Sequence, residues 1–214
     1  MYKAVIFDLD GTLLDTAIDL GDALNTVLSL HKFPTHDLPT IQSFIGKGIK
    51  EFVTGAIPNE ERTEEIVEAC YQTMQEEYSH RWQLHTKAYL YIPELLNALV
   101  ERHKLLCVLS NKEDTFTREM VTRILSPWHF SKIVGSSFGS KPKPDPTKAL
   151  AICEELQLEV NEVIYVGDST IDIETARNAQ IQPAWASWGY QHEYPQDVLV
   201  PVLETPTDLL KFIP

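Results

Sequence analysis

No apolar stretch in this 214-residue chain approaches the roughly 20 residues that cross a bilayer, and no run of lysine or arginine exceeds two residues. The first absence predicts a protein without a membrane span. The second predicts one with no nucleic acid as a partner and no patch for anionic lipid, and 31 acids against 18 bases, a formal charge of −13, strengthen that expectation. Cysteine is scarce as well. Cys70, Cys107 and Cys153 are odd in number, far apart and without metal-ligand spacing, which points to a reducing compartment and to three small core residues. Repeats and low-complexity stretches are missing, so solenoids and extended linkers are excluded. The amino terminus enters an apolar run at once, without the basic and then apolar leader of an exported protein, so the expected location is cytoplasmic. With 43% hydrophobic residues, the length supports one good core or a core plus a smaller module.

What is there begins with that apolar run. Ala4, Val5, Ile6 and Phe7 have the pattern of a strand buried on both faces in a parallel sheet. Asp8 and Asp10 follow, one strand period apart, so an extended backbone sends both carboxylates to the same side. Two acids at the end of a buried strand repel, and each needs a cation, a donor or a proton to stay there. Gly11 permits a sharp turn, and Thr12 adds a hydroxyl.

Residues 16 to about 86 carry only helical periodicity. Thr16 caps a first helix to about residue 30, with Asp19 as its reciprocal acid; a second helical segment covers residues 40–57, and a long polar helix runs from 60 to about 82. Later residues alternate strands and helices. Apolar strands are expected at 105–109, 132–135, 163–166 and 184–187, with helices at 115–125, 146–156, 171–179 and 207–213. The shift marks a boundary, with residues 1–15 and 87–214 as an α/β core and 16–86 as a helical cap inserted after the first strand. An insertion there sits above the carboxyl ends of the strands, where open α/β sheets bind ligands.

Three strands end in polar residues, at Asp8 and Asp10, at Ser110 and Asn111, and at Asp168, and parallel connections put all three ends on one edge. Asp172 adds a carboxylate one helical turn beyond Asp168. A hard divalent cation is the natural counter-charge for such a group, and Mg²⁺ takes few protein carboxylates plus water and phosphate. The proline-rich run 141–146 holds Lys141 and Lys143 on a stiff backbone, and a phosphate beside several acids needs such a positioned positive charge.

Residues 7–16, Phe-Asp-Leu-Asp-Gly-Thr-Leu-Leu-Asp-Thr, resemble the first motif of the haloacid dehalogenase-like hydrolase superfamily. Leu109-Ser110-Asn111-Lys112, the run 141–146 and the run 167–172 resemble its second, third and fourth, so the resemblance spans residues 7–172. It implies a Rossmann-like parallel sheet with a helical cap, Asp8 as nucleophile and Asp10 as general acid and base, with Thr12 as its support. Mg²⁺ would be held by Asp8, the Asp10 carbonyl and Asp168, with Asp172 at or just behind the metal. Thr12, Ser110, Asn111 and Lys141 would contact phosphoryl oxygens, and Lys141 the nucleophile also. Lys141 precedes the Pro-x-Pro-Asp-Pro run and so matches the family's lysine, while Lys143 falls on a variable position. The acid at Asp10 points to phosphate esters, because the dehalogenases of the superfamily lack one there.

The all-helical insertion resembles the cap of the phosphoglycolate phosphatase-like branch. Gly46, Lys47 and Gly48 are similar to a cap segment that faces the active site, where Lys47 meets a substrate carboxylate. Two segments depart from the branch: residues 89–94 lack its Pro-Gly, and the loop from Gly189 to His192 is only roughly alike. The implied activity is a Mg²⁺-dependent phosphatase on a small phosphorylated metabolite, best matched by 2-phosphoglycolate, in a monomer or homodimer. A β-phosphoglucomutase-like mutase, a pyrophosphatase and a nucleotidase share the motifs. A phosphonate hydrolase would need a cap lysine such as Lys47 or Lys50, and a non-catalytic phosphometabolite-binding module would need neither nucleophile nor proton shuttle. The seven histidines are scattered and carry no assigned role.

Overall fold

Every side chain of the first strand, β1 (Ala4–Phe7), is buried, and alternate residues serve opposite faces of the sheet. Val5 and Phe7 join one apolar cluster, Ala4 and Ile6 another. The computed structural model describes residues 1–191 and 200–213. After β1 a short strand β2 (Leu14–Asp15) leads into α1 (Ala17–Leu30), α2 (Leu38–Phe44), α3 (Ile49–Ala56) and α4 (Glu64–Arg81). The chain returns through β3 (Lys87–Ala88), which pairs antiparallel with β2. Then follow α5 (Ile92–Glu101), β4 (Leu105–Glu113), α6 (Asp114–Ile124), β5 (Phe130–Ser136), α7 (Thr147–Glu155), β6 (Val163–Gly167), α8 (Thr170–Asn178), β7 (Gln182–Ala186) and β8 (Val202–Leu203), with a last 3₁₀ turn at Pro206–Lys211.

The large sheet has the order β5-β4-β1-β6-β7-β8 and is parallel throughout. One cluster packs α1, α5 and α6 on Val5 and Phe7. The other packs Ala149, Ile152 and Cys153 of α7 and Ala176 of α8 on Ala4, Ile6, Cys107 and Tyr165. A parallel sheet covered on both faces is what the continuous apolar runs require. The three cysteines are free and buried.

The helix expected at 207–213 is the 3₁₀ turn Pro206–Lys211, and two helix boundaries within residues 40–82 also differ from the periodicity. Residues 40–57 are two helices, not one segment, because the chain turns at residues 45–48. Gly48 takes φ +93° there, in the region that favours glycine, to start α3. The helix expected from residue 60 begins at Glu64, where the Thr63 hydroxyl accepts from the Ile66 N–H as its cap.

Thr16 does not cap α1 through its side chain, and Asp19 is no reciprocal acid. The buried Asp19 carboxylate instead accepts from the N–H of His85 at 3.0 Å, from the N–H of Thr86 at 2.8 Å and from its hydroxyl at 2.7 Å, with the His85 ring Nδ1 at 2.9 Å. The start of α1 is thereby tied to the segment that returns to β3. Burial pushes the pKa of Asp19 up, but the hydrogen bonds from His85 and Thr86 outweigh it and hold the carboxyl below its ordinary 3.8. The folded state therefore binds this proton less readily than the unfolded chain. The stabilisation is complete above that ordinary value and disappears as pH falls through the lower folded one. Asp19→Ala is expected to cost about 2–4 kcal/mol at neutral pH, since buried donors lose a charged acceptor. Urea melts at pH 7 and pH 3 check it: the gap between variant and wild type narrows in acid, and a gap that widens there refutes the assignment.

Candidate active site

β1 is hydrogen-bonded to β4 on one side and to β6 on the other, so the carboxyl ends of these three strands converge. Asp8 continues β1, with its N–H donating to the Val166 carbonyl at 2.9 Å. At Gly11 the backbone takes φ +86° and passes so close to Asp168 that a Cβ would overlap that carboxylate. Gly189 makes the same close approach from the loop after β7. Asp168 is therefore clasped by backbone on two sides and held by two donors, the Thr12 hydroxyl at 3.1 Å and the Tyr190 N–H at 2.8 Å.

Asp172 sits in the first turn of α8 with no exposed surface. It accepts from the Ser169 hydroxyl at 2.6 Å and the Ser169 N–H at 3.1 Å, a capping box that fixes its rotamer. Carboxylate oxygens of Asp8, Asp168 and Asp172 lie within 4.8 Å of one another, all buried.

The cation among these acids is Lys143. Its ammonium stands 2.8 Å from Asp8 Oδ1 and 2.6 Å from Asp172 Oδ1, and its side chain is 3% exposed. Lys141, the lysine expected there, is 77% exposed and among the described residues pairs with Asp145, at 3.5 Å. This corrects the expectation: Lys141 lies outside the site, and Lys143 occupies the position taken for a variable one. The run contains two Lys-Pro steps, and only the second, with Pro144-Asp145-Pro146 behind it, leads directly into α7. The path of the loop, which brings Lys143 rather than Lys141 to Asp8, distinguishes the two.

Burial pushes the Asp8 carboxyl up to about 7, with Asp172 adding to the rise and Lys143 opposing it. Asp168 is raised well above the usual carboxylate range by burial, then by Asp172 and Asp8. Burial disfavours the Lys143 ammonium, yet Asp172 and Asp8 hold its pKa well above the ordinary value. Three buried acids around one ammonium lack positive charge. Moreover, Asp8 Oδ1, although close to Lys143, has no aligned hydrogen-bond donor. The donor set is all oxygen and fits a hard divalent cation.

Asp10 stands apart from that cluster. Its carboxylate accepts the Thr16 hydroxyl at 2.8 Å and the Lys112 ammonium at 3.1 Å to each oxygen. Thr16 thus supports Asp10, and Thr12, expected in that role and on phosphate, supports Asp168. Lys112 follows Ser110 by one strand period on β4, the pattern that could have singled it out.

Ser110 is 3% exposed, and its hydroxyl accepts from the Lys112 N–H at 3.2 Å. Asn111 is expected on phosphoryl oxygens, but its side chain is otherwise engaged. Its amide nitrogen donates to the Gly46 carbonyl at 3.0 Å and the Lys143 carbonyl at 3.2 Å, and its oxygen accepts from the Lys143 N–H at 2.7 Å. Asn111 therefore joins the loop between α2 and α3 to the loop that delivers Lys143.

A cavity of about 40 Å³ opens on Asp8, Asp10, Ser110 and Lys112, and Leu20, Ile45, Ile49 and Phe52 close it from the helical side. Gly46 and Gly48 line it too, whereas Lys47 is exposed and faces a separate outer groove. The aromatic Tyr190 was missed in the sequence: its N–H holds Asp168, and its hydroxyl is 2.6 Å from the Thr16 N–H and donates to Asp15 at 3.1 Å. His192, in the same loop, lies outside the described residues.

Sheet and site together describe an open parallel α/β protein with an acidic crevice at its strand ends. The family model of haloacid dehalogenase-like hydrolases matches residues 5–186, and the chain belongs to that family. A phosphoglycolate phosphatase from Nitrosospira multiformis is 33% identical over 98% of this chain and 96% of its own length. An N-acetylmuramic acid 6-phosphate phosphatase from Pseudomonas aeruginosa is 30% identical, covering 91% of this chain and 85% of its own. Among solved structures, a protein from Lactobacillus delbrueckii subsp. bulgaricus superposes with a TM-score of 0.92 at 28% identity, over 99% of this chain and 98% of that one.

Proposed function

We propose that the protein is a Mg²⁺-dependent phosphatase that hydrolyses a small phosphate monoester through an aspartyl-phosphate on Asp8, with 2-phosphoglycolate as the first substrate to test. The observation that carries this is the pairing of two acids with separate partners: Asp8 against Lys143 in a buried acid cluster, and Asp10 two residues on against Lys112 and Thr16. One environment suits a nucleophile beside charge-stabilising cations, the other an acid that exchanges a proton with the leaving oxygen.

Asp8, Asp168 and Asp172 would hold the metal, which when bound supplies positive charge against the phosphoryl oxygens. Asp8 attacks phosphorus, and the ester P–O bond breaks. Asp10 gives a proton to the departing oxygen, then takes one from the water that hydrolyses the acyl phosphate and restores Asp8. Lys143 and the Ser110 hydroxyl stabilise charge on the transferred group. The helical residues 16–86 serve as the cap in this reading, because Leu20, Ile45, Ile49 and Phe52 cover the cavity and exclude water.

Similarity of sequence supports the phosphatase but does not choose the alcohol, since relatives of 33% and 30% identity carry the names of different substrates. The test is phosphate release from 2-phosphoglycolate, sugar phosphates, nucleotides and pyrophosphate with Mg²⁺ and with EDTA. EDTA-sensitive release led by 2-phosphoglycolate is expected. Release that EDTA leaves untouched removes the metal from the mechanism, and none from any ester removes the phosphatase.

A further inference from the structure

The proposed chemistry uses Asp10 but gives its partner Lys112 no contact with substrate, and Lys112 is an unusual residue to bury. Its side chain is 6% exposed, it lines the cavity, and the face of the Tyr78 ring backs its ammonium at 4.6 Å. Among the described residues Asp10 is its one carboxylate partner, whereas Lys143 has two. The Tyr78 hydroxyl behind it is buried without an aligned hydrogen-bond partner and brings no negative charge. Opposite the strand ends, the helical wall of the cavity is apolar, from Leu20, Ile45, Ile49 and Phe52. A desolvated ammonium facing such an apolar wall attracts an anion far more strongly than one in water.

Building on the phosphatase reading, we propose that Lys112 receives a carboxylate on the leaving group, one carbon from the ester oxygen, and so makes phosphorylated small 2-hydroxy acids the preferred substrates. Distance selects that position. Asp10 must reach the ester oxygen to protonate it, and Lys112 lies 3.1 Å from both oxygens of Asp10, so its ammonium stands over the atoms just beyond that oxygen. A carboxylate attached there by one carbon meets it. A cavity of about 40 Å³ has room for a group of a few heavy atoms, one water needing roughly 10–15 Å³, which disfavours a longer acid. Lys47, the other candidate for this charge, is exposed on the outer groove and does not line the chamber.

A site built to pair with a charged group rejects the analogue that lacks it. The experiment compares kcat/KM for 2-phosphoglycolate and its uncharged counterpart 2-hydroxyethyl phosphate in the wild type, Lys112→Met and Lys112→Arg. The wild type should prefer the acid by about 100-fold. Lys112→Met should slow both esters, because it also frees Asp10, but reduce the preference to within about fivefold, mainly through KM; Lys112→Arg should keep part of it. A fall of equal size on both esters, with the preference intact, makes Lys112 a positioning residue for Asp10 and overturns the proposal. Should Lys112→Met not fold, the wild type decides: glycolate should inhibit hydroxyethyl phosphate release competitively and ethylene glycol should not, and equal inhibition overturns the proposal. Release from hydroxyethyl phosphate without preference leaves the phosphatase standing and removes Lys112 as receptor, while release from neither ester overturns both.

Discussion

Asp8→Asn is expected to give a folded protein whose phosphate release falls by at least about 10⁴-fold, because an amide cannot form the covalent intermediate and no neighbour can replace it. Asp168 is clasped between Gly11 and Gly189, Asp172 is locked by Ser169, and Asp10 is engaged by Lys112, so among the described residues none of these three acids can swing into line. Stability should move the other way. The Asp8 carboxyl is pushed up to about 7 from 3.8, so in metal-free protein the unfolded chain ionises first as pH rises. The unfolded state then binds fewer protons, and the wild type loses stability between those two values. The variant carries no such group and should melt higher than the wild type in EDTA at pH 8, with the advantage gone near pH 4. Phosphate-release assays and thermal melts across that range decide it. Turnover within tenfold of wild type would remove Asp8 as nucleophile.

Lys143→Met and Lys141→Met should part company just as sharply. Losing Lys143 leaves Asp8 and Asp172 facing each other without their shared cation, and breaking a buried pair of this kind costs about 3–5 kcal/mol. The rate should fall by about 10³-fold, since a fixed charge next to the transferred group is lost. Mg²⁺ should restore part of the stability and little of the rate. Lys141→Met should match the wild type in both melting temperature and turnover, because an exposed lysine 3.5 Å from Asp145 contributes little. If the two variants exchange these phenotypes, the lysine of the site is Lys141 after all.

The parallel sheet could be read from the sequence because each of its central strands opens on a short, wholly apolar run, and burial on both faces leaves no other use for such runs. The polar strand ends were equally visible, because carboxylates at Asp8, Asp10 and Asp168 contradict the apolar residues just before them. Local pattern fails where two neighbours carry the same chemistry. In Lys141-Pro142-Lys143-Pro144 each lysine precedes a proline, and only the path of the loop toward β1 decides which ammonium is buried. Thr12 and Thr16 exchange partners for a similar reason: the turn at Gly11 sends Thr12 toward Asp168, and α1 starts with Thr16 beneath Asp10. Asp19 with His85, and Tyr190 with Asp15, are contacts between residues 66 and 175 positions apart, for which no local periodicity exists.

The two-stranded ribbon has a consequence for how the chain accommodates variety. Leu14 pairs with Ala88 and Asp15 with Lys87, so the entry and exit of the helical residues are antiparallel neighbours. Seen from the sheet, everything between them is topologically one turn, with its ends already joined. Its length and content can be exchanged without adding a crossing to the sheet or altering the register that sets Phe7, just before Asp8, against Val108 and Val166. The helical residues and the strand ends that carry the acids are therefore free to vary independently within one unbroken chain.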